Sequence, residues 1–535
     1  MRTLIKLNSK IICRSPIYWA VLCFVFLFFS LFVYLVYPSS INFAATLGAV
    51  AYIEITIIIL DFCMAVYFSH RQYCLENICQ ISRTHSVIGR LVSQIIVSSG
   101  LLIFPFVFTI VASLLESTDF LFNVEVGITV LLRWFCIILV SSSFGFLIGT
   151  LIKKYLVYLV VIPFCIIFSY LNSYLFSYIF PQNSKEFLII TNLLSVQEPF
   201  MTSVKLDYVS NLLDSFWLTK KVFILAIVGI LIFLIVVITG FRKQKLIYYL
   251  LPGILLTAIT VVSCFMYVKS FPEPYNYDAK LYVTSESIPA YSIKSYIGEI
   301  TLSEKMVATC SLTVGQNSTN CQDLRFRLDA SFKVDQICFN NQAIPYIHEG
   351  DYITIPKEYL PKNDIFTLSF VYHGRVYYIS DIEGLNIFSS NRATALPSSF
   401  AFIPIIDGDN TLKNYSLEIH GENNIISNII PEKNQDGTYQ INGKSDTLCL
   451  FMGYFTSFTV ENTVVFKSSN NKLTDYNKIY GNATEYPYLD PYTGETIDES
   501  FGTRPVAFLI YDLYGVLGLP VVYQDYWIMN YGFPV

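Results

Sequence analysis

The sequence predicts two parts: an α-helical membrane domain of about seven transmembrane helices, then a mainly-β, sandwich-like domain. Only 14% of the 535 residues are charged and 54% are hydrophobic, whereas soluble chains carry about 25% charged residues. Residues up to Lys269 include 18 basic and 10 acidic side chains, and the remainder includes 17 basic and 30 acidic ones. Beyond Thr284, long apolar runs give way to alternation. This excludes a purely soluble chain, and the acidic half would repel nucleic acids.

Seven apolar runs approach the roughly 20 residues that a helix needs to cross a bilayer. Ser15 as N-cap and Pro16 at the first helical position mark where the first one begins. Its length and the lack of a small-residue cleavage site predict a retained span, not a signal peptide. The seven are Ile17–Tyr37, Ala45–Phe68, Leu91–Leu115, Gly127–Ile152, Tyr155–Phe180, Val222–Gly240 and Leu246–Val268.

Loop charges predict the orientation of these spans. Basic residues precede the first span and fill every second loop, for example Lys153 and Lys154, while the alternate loops are mostly neutral or acidic. The positive-inside rule then places the N-terminus in the cytoplasm, and seven spans place the C-terminal part outside. We expect a multi-pass protein of a bacterial plasma membrane, with a permease domain at 16–269 and an extracellular C-terminal domain.

The first fifteen residues have a pattern of their own. Arg2, Lys6, Lys10 and Arg14 recur every four residues and would stripe one face of a helix. We expect an amphipathic helix over 1–15 that lies in the cytoplasmic interface. The alternative is a short basic tail that only sets the topology. Between the fifth and sixth runs, residues 181–221 hold apolar stretches too short to cross and predict an external re-entrant segment.

This order of elements, with the loop Leu75–Arg90, resembles the permease subunits of ABC exporters of the two-times-six-span class. There an acidic residue, a short helix and a basic turn form the element that docks on the ATPase; Glu76, Arg83 and Arg90 occupy matching places. The usual Gly-Thr is absent from this loop, and any basic loop that enters a helix has a similar appearance. The resemblance covers residues 1–245. It implies a second permease chain and a separate ATPase.

The chain contains no Gly-x-x-x-x-Gly-Lys-[Ser/Thr] loop. We therefore expect ATP and Mg to bind the partner ATPase, and no cofactor on this chain.

Three charges fall at membrane depth: Glu54 and Asp61 in the second span and Arg133 in the fourth. Isolated charges there are costly, so they should pair or face water. The two acidic residues are seven apart and share a helix face. The two interpretations are an ion pair that holds helices together and a lining of the cargo path.

In the second half, residues 270–470 read as an extracellular β domain. Leu324–Leu328, Phe366–Tyr372 and Tyr415–Ile419 alternate between apolar and polar residues. Turn dipeptides separate such runs: His373-Gly374, Asp407-Gly408, Asp436-Gly437 and Asn442-Gly443.

The order of these runs, from Ser287 to Lys467, resembles the N-terminal β domain of gluzincin zinc aminopeptidases. The resemblance rests on Met306–Thr319, Leu324–Leu328, Phe332–Asp335, Tyr352–Pro356, Phe366–Tyr372, Ala401–Pro404, Tyr415–Ile419 and Leu450–Phe455. No His-Glu-x-x-His follows, and the five histidines lack ligand spacing. We therefore expect a binding domain without peptidase chemistry, no metal site and a chain that is not an enzyme.

Cys310 and Cys321 flank a turn and form a candidate disulfide, with free buried thiols as the alternative. Residues 471–535 form a Tyr-rich, then apolar tail. Its apolar run Pro505–Pro520 is short for a span.

Together these features predict the permease subunit of an ABC exporter that moves an amphiphilic cargo, a peptide or a lipid, outward. Its partners would be the ATPase, a second permease chain and the bilayer. The alternative is a membrane-anchored receptor or immunity protein whose β domain binds a peptide or protein without transport. A weaker third possibility is a membrane enzyme with a non-metal external site.

Overall fold

A computed structural model shows two compact units, one of residues 1–206 and 210–271 and one of residues 207–209 and 272–535. The described residues are 2–36, 51–70, 83–115, 120–152, 155–181, 184–197, 215–240, 246–271, 273–275, 289–317, 323–361, 363–380, 386–398, 400–460, 463–468, 488–489, 496–497, 505–509, 521–522 and 526–529.

The first unit is helical. A 3₁₀ turn, Ser99–Leu102, joins α4 to α5, and another, Tyr155–Val160, leads into α7. The second helix begins at Pro16, as the sequence predicts. The helices are α1 (Arg2–Cys13), α2 (Pro16–Val36), α3 (Ala51–His70), α4 (Arg83–Ser98), α5 (Ile103–Leu115), α6 (Phe120–Leu151), α7 (Val161–Phe168), α8 (Asn172–Phe176), α9 (Lys185–Leu194), α10 (Ser215–Gly240) and α11 (Leu246–Ser270).

Six helical segments among the described residues are long and apolar enough to cross a membrane, as in a multi-pass membrane protein. The third runs through α4 and α5 as one segment of 31 residues. The six are Pro16–Leu35, Ile53–His70, Thr84–Leu114, Asn123–Leu151, Trp217–Gly240 and Leu250–Ser270.

The prediction of a seventh long helix over Tyr155–Phe180 is wrong. Helix α7 ends at Phe168 because Ser169 is extended, with φ −111° and ψ 176°. The freed backbone groups bind a segment that returns from α9: Val196 N donates to Phe168 O at 2.9 Å, and Tyr170 N donates to the Gln197 side chain at 3.1 Å. The hydropathy of Tyr155–Phe180 indicates one continuous apolar helix. The helix can end at Phe168 because Val196 and Gln197 bind the backbone groups that the break leaves free.

Around its buried apolar clusters, the helical unit exposes apolar side chains and buries polar ones to a degree unusual for a water-soluble protein. Many large apolar side chains on its outer faces are exposed, among them Leu27, Leu251 and Phe265, at 66%, 73% and 68%. Several polar and charged side chains are buried instead, including Glu54 and Asp61. Because lipid tails are as apolar as leucine, an exposed apolar surface is stable only where lipid or protein covers it.

The second unit is mainly β. Its described strands are β1 (Glu273–Tyr275), β2 (Tyr291–Thr301), β3 (Met306–Gln316), β4 (Leu324–Arg327), β5 (Phe332–Phe339), β6 (Gln342–Ala343), β7 (Ile347–Glu349), β8 (Tyr352–Ile355), β9 (Ile365–Gly374), β10 (Tyr377–Ser380), β11 (Asn386–Ser389), β12 (Thr394–Leu396), β13 (Lys413–His420), β14 (Asn424–Ser427), β15 (Glu432–Lys433), β16 (Tyr439–Ser445), β17 (Leu450–Gly453), β18 (Phe455–Val460), β19 (Thr463–Ser468), β20 (Tyr488–Leu489), β21 (Thr496–Ile497), β22 (Val506–Leu509), β23 (Val521–Val522) and β24 (Tyr526–Met529).

These strands form four sheets. The largest has the order β15-β16-β13-β2-β3-β9-β5-β6, and only β13 and β2 run parallel within it. The others are β1-β10-β11-β12-β17-β14, β18-β19-β22-β24-β23-β20-β21 and β4-β8-β7. The predicted alternation holds in β9, where Phe366, Leu368, Phe370 and Tyr372 are buried in one continuous apolar core.

Of the four predicted turn dipeptides, Asn442-Gly443 lies inside β16, and His373-Gly374 ends β9 just before the connection to β10. Gly408 and Gly437 have positive φ, as turns require. A Cβ at residue 374 would collide with the Ser331 carbonyl oxygen, so this glycine permits a close backbone approach. In the tail, Val506–Leu509 is a strand that pairs in parallel with β19 and β24. The tail therefore contributes to a sheet that begins before residue 470.

Candidate functional site

The deepest polar site of the helical unit lies where α3, α4 and α6 meet. Two glycines of α6 permit the close packing of α3 on α6. A Cβ at Gly145 would lie 2.7 Å from Phe62 O and 2.8 Å from the Cβ of Ala65. One turn later, a Cβ at Gly149 would collide with the Ser69 side chain. Small residues four apart bring helix backbones together in membrane proteins.

Glu54 and Arg133 form an ion pair that connects α3 to α6. Arg133 Nε lies 2.5 Å from Glu54 Oε1, and the two side chains are 7% and 0% exposed, respectively. Of the two acidic residues that share this helix face, the structure pairs Glu54 with the arginine. A buried charge without its partner is strongly unfavourable, so the pair holds the two helices in register.

Asp61 lies two turns further along α3 and has a different environment. Its Oδ1 accepts hydrogen bonds from Ser98 at 2.5 Å and Gln94 at 3.3 Å, both on α4. Its Oδ2 lies 2.7 Å from the hydroxyl oxygens of Ser141 and Ser142 of α6. Asp61 is fully buried. Among the described residues, no cationic side chain lies within ion-pair distance of this carboxyl group.

The helices themselves bring these donors together. Gln94 and Ser98 are four residues apart on α4 and therefore share a face, and Gln94 also donates to Ser98 at 2.9 Å. Sequence reasoning missed all four donors. The available signal was the run Ser141-Ser142-Ser143 inside an otherwise apolar span, because hydroxyl groups at membrane depth need partners.

The three residues predicted to dock on an ATPase have different positions. Glu76 lies outside the described residues, and Arg83 is the first residue of α4. Arg90 is buried, at 6% exposure, and its Nη1 donates to the Ser69 carbonyl at 3.2 Å. In this conformation Arg90 ties α4 to the end of α3 and does not present its guanidinium to a partner.

The N-terminal helix α1 is amphipathic, with Arg2, Lys6, Lys10 and the following Arg14 all exposed. Its other face packs on α4, where Gly89 leaves room for the Leu4 side chain; a Cβ there would lie 2.8 Å from Leu4 Cδ2. The Ser93 hydroxyl oxygen of α4 lies 3.0 Å from the Ile5 carbonyl oxygen. The basic stripe therefore points away from the bundle.

A second polar cluster surrounds the break after α7. Asn172 donates to the carbonyls of Ile167 and Thr191, at 3.1 and 2.9 Å. Lys220 of α10 donates to the Gln197 carbonyl at 3.0 Å. These bonds bring the end of the segment after α9 back to the end of α7, so the chain from Phe168 to Gln197 forms a closed loop before α10.

In the β unit, Cys310 is a free thiol on β3, buried in the core with its Sγ 4.0 Å from Tyr372 Oη. Burial raises the pKa of the Cys310 thiol to about 12. Cys321 lies outside the described residues, and the free, buried Cys310 fits the alternative of buried thiols.

The β unit buries charges against its backbone. Lys413 donates to the carbonyls of Asp409, Thr411 and Asp446, at 2.8 to 2.9 Å, and burial lowers the pKa of its ammonium group. Tyr378 donates to Asp329 at 2.5 Å, and burial raises the pKa of that phenol. Within the described residues, no three His, Cys, Asp or Glu side chains cluster closely enough to hold a metal ion.

Solved structures of zinc aminopeptidases resemble part of the chain. Leukotriene A4 hydrolase from Saccharomyces cerevisiae has a TM-score of 0.31 and 11% identity, covering 45% of this chain and 41% of that one. An M1 zinc metallopeptidase from Deinococcus radiodurans has the same TM-score and identity and covers 45% and 61%. Aminopeptidase A from Legionella pneumophila has a TM-score of 0.34 and 13% identity, covering 46% and 32%. The match thus spans less than two thirds of each of these proteins.

No protein-family model and no curated protein matches the chain. Two of these three proteins are peptidases, the class of protein whose N-terminal domain the β-domain pattern resembles. The expectation that the chain is not an enzyme is contradicted by this comparison, because the similar proteins are a hydrolase and two peptidases. We withdraw that expectation, and the comparison assigns no activity to this chain.

Proposed function

We propose that this chain is the permease subunit of an ATP-driven ABC exporter that moves an amphiphilic peptide or lipid outward. It would act with a second permease chain and with a separate ATPase that binds ATP and Mg. In this proposal the helical unit lies in the plasma membrane and the β unit lies outside.

The observation that carries the proposal is the order of elements in the helical unit. A basic amphipathic helix, α1, packs on α4 with its charged stripe exposed. Four long apolar segments are followed by a short broken helix, an excursion that returns on itself, and the long helix α10. This is the layout expected of exporter permeases, in which the returning segment lies at the exit of the cargo path.

The proposed orientation depends on residues 155–168. Six crossings would leave both ends of the chain on one side, whereas a seventh crossing puts the β unit outside. Six 3₁₀ residues at 2.0 Å and eight α-helical residues at 1.5 Å span about 24 Å. The hydrocarbon core is about 30 Å thick, so local thinning would allow this segment to cross. Lys153 and Lys154 before it favour a cytoplasmic start.

The burial of Arg90 reduces the number of residues that would contact the ATPase in this proposal. Because its guanidinium is tied to Ser69, it would hold the end of the coupling loop in place. Contact with the ATPase would then fall to Glu76 and Arg83.

The test is affinity purification of the full chain in mild detergent, followed by mass spectrometry and an ATPase assay. We expect a P-loop ATPase to co-purify with activity, and Arg83→Glu to abolish that association. Lys333→Glu is the matched control, because Lys333 is exposed on β5 of the other unit; it should leave association unchanged. A chain that purifies from several detergents without a nucleotide-binding partner would favour the membrane-anchored receptor instead.

A further inference from the structure

Asp61 is a buried acid whose partners are all neutral. Four side chains on two helices direct donors at its two oxygens, at 2.5 to 3.3 Å. The nearby arginine is not available, because Arg133 pairs with Glu54 two turns away along α3. A buried carboxylate without a cationic partner is expensive in an apolar bundle.

Counting hydrogens at Ser141 indicates the protonation state. Its single hydroxyl hydrogen faces two acceptors, Asp61 Oδ2 and the Ile137 carbonyl, both at 2.7 Å. One hydrogen cannot serve both contacts. If Oδ2 carries a proton, it donates to Ser141 Oγ, and Ser141 in turn donates to Ile137 O. Every short contact then has its own hydrogen.

A metal cation fits these distances poorly. The oxygens of Ser98, Ser141 and Ser142 lie 2.5 to 2.7 Å from the carboxylate oxygens, which is hydrogen-bond length. Two oxygens that close together are in direct contact and leave no room for an ion between them. The arrangement is that of a carboxylic acid group with hydroxyl partners.

We propose that Asp61 is a proton-binding site in the core of the helical unit. It holds its proton at neutral pH, and its neutral form is what allows α3 to pack on α4 and α6. Loss of the proton breaks the O–H bond of the carboxyl group, passes the proton to water and leaves an unpaired charge, which loosens the three helices. The inference stands independently of the proposed transport function.

Other titratable groups face this region from the surrounding elements. Several of them bind elsewhere: Arg90 binds Ser69 O, Glu54 binds Arg133, Tyr18 of α2 donates to Val97 O at 3.4 Å, and His70 lies 2.8 Å from Ile152 O. Within the described residues, none lies within hydrogen-bond or ion-pair distance of Asp61. The same helices also carry Cys23 on α2, Cys63 and Tyr67 on α3, Cys136 on α6, Tyr158 before α7 and Cys165 on α7.

The test is infrared spectroscopy of the full-length protein in lipid nanodiscs at neutral pH. A protonated carboxyl group has a carbonyl stretch separate from that of a carboxylate. We expect such a band in the wild type and its loss in Asp61→Asn. We expect its retention in the double variant Glu54→Gln with Arg133→Met, which removes the ion pair without leaving a buried charge. Asparagine has the shape of the neutral acid and can donate to Ser141, so Asp61→Asn should fold.

A second readout compares the pH dependence of thermal stability in the wild type and in Asp61→Asn. The carboxyl group ionises near pH 4 in the unfolded chain, so thermal stability of the helical unit should fall as pH rises above about 4 until the folded protein also loses the proton. Asp61→Asn should show a weaker fall. Absence of the band from the wild type, or its persistence in Asp61→Asn, would overturn the proposal. Stability that rises with sodium but not with potassium at fixed pH, and only when Asp61 is present, would overturn it in favour of a cation site.

Discussion

The two units bury polarity in opposite ways. In the helical unit, buried charged and hydroxyl side chains bind one another across α3, α4 and α6, while apolar side chains are exposed on the outside. In the β unit, alternating strands bury one apolar core, and buried Lys413 binds backbone carbonyls. Within a long helix the backbone groups bind one another, so Glu54 and Asp61 find side-chain partners on neighbouring helices, whereas Arg90 binds a carbonyl near a helix end. Loops between strands leave carbonyls available to side chains.

The largest effect is expected from splitting the ion pair of the helical unit. Arg133→Met leaves Glu54 buried without its partner, so we expect a loss of about 3–5 kcal/mol. Thiol labelling of buried Cys136 during thermal unfolding, read by mass spectrometry, would measure it. The double variant Glu54→Gln with Arg133→Met removes both charges and should recover much of the loss. If the double variant is no more stable than Arg133→Met, the unpaired charge of Glu54 is not the cause of the loss of stability.

A smaller effect is expected where the helices approach most closely. Gly145→Ala places a methyl group against the Phe62 backbone, which cannot move aside, and should cost about 1–3 kcal/mol. Gly253→Ala in α11 is the control, because there the added Cβ meets only the end of the Phe233 ring, at 3.0 Å. The same labelling of Cys136 reports both variants. Equal effects would contradict the tight α3–α6 packing.

In the β unit the corresponding change removes one buried hydroxyl. Tyr372 donates to the Phe402 carbonyl at 2.9 Å, so Tyr372→Phe leaves a buried acceptor unpaired and should cost about 1–3 kcal/mol. Labelling of buried Cys449 follows unfolding of this unit. Exposed Tyr359→Phe is the control and should cost little.

The same tyrosine predicts a dependence on alkaline pH. Burial raises the pKa of Tyr372 well above its ordinary value of about 10, so only the unfolded chain ionises there near that pH. Its contribution is therefore complete below pH 10 and is lost as pH rises towards the folded-state pKa. The stability of the β unit should fall above about pH 10, and less steeply in Tyr372→Phe. An unchanged slope would place the ionisable group elsewhere.

The smallest effect is expected on the outer surface of the helical unit. Leu251 is 73% exposed on α11, so Leu251→Ala should change stability by less than about 0.5 kcal/mol in lipid. Leu417 is fully buried on β13, and Leu417→Ala should cost about 2–5 kcal/mol. If both substitutions cost the same, α11 is covered by protein, and its exposed face is an interface.

The sequence predicted features that depend on local periodicity. The four-residue basic spacing gave the exposed stripe of α1, and alternation gave the buried face of β9. It could not predict the break at Ser169, because the partner that binds Tyr170 N is Gln197, 27 residues away. Nor could spacing decide whether Glu54 or Asp61 pairs with Arg133, because both acids share one helix face. The donors of Asp61 come from two other helices, so only tertiary structure assembles them.

The central claim is that the helical unit lies in lipid through its exposed apolar faces, while the β unit lies in water. Its most direct test is photolabelling of the membrane-bound full chain with a hydrophobic probe dissolved in the lipid, followed by peptide mapping. We predict label on the outer faces of α2 and α11, at residues such as Leu27 and Leu251, and none on the β3 and β9 strands. Label on those strands, or its absence from α2 and α11, would contradict the account.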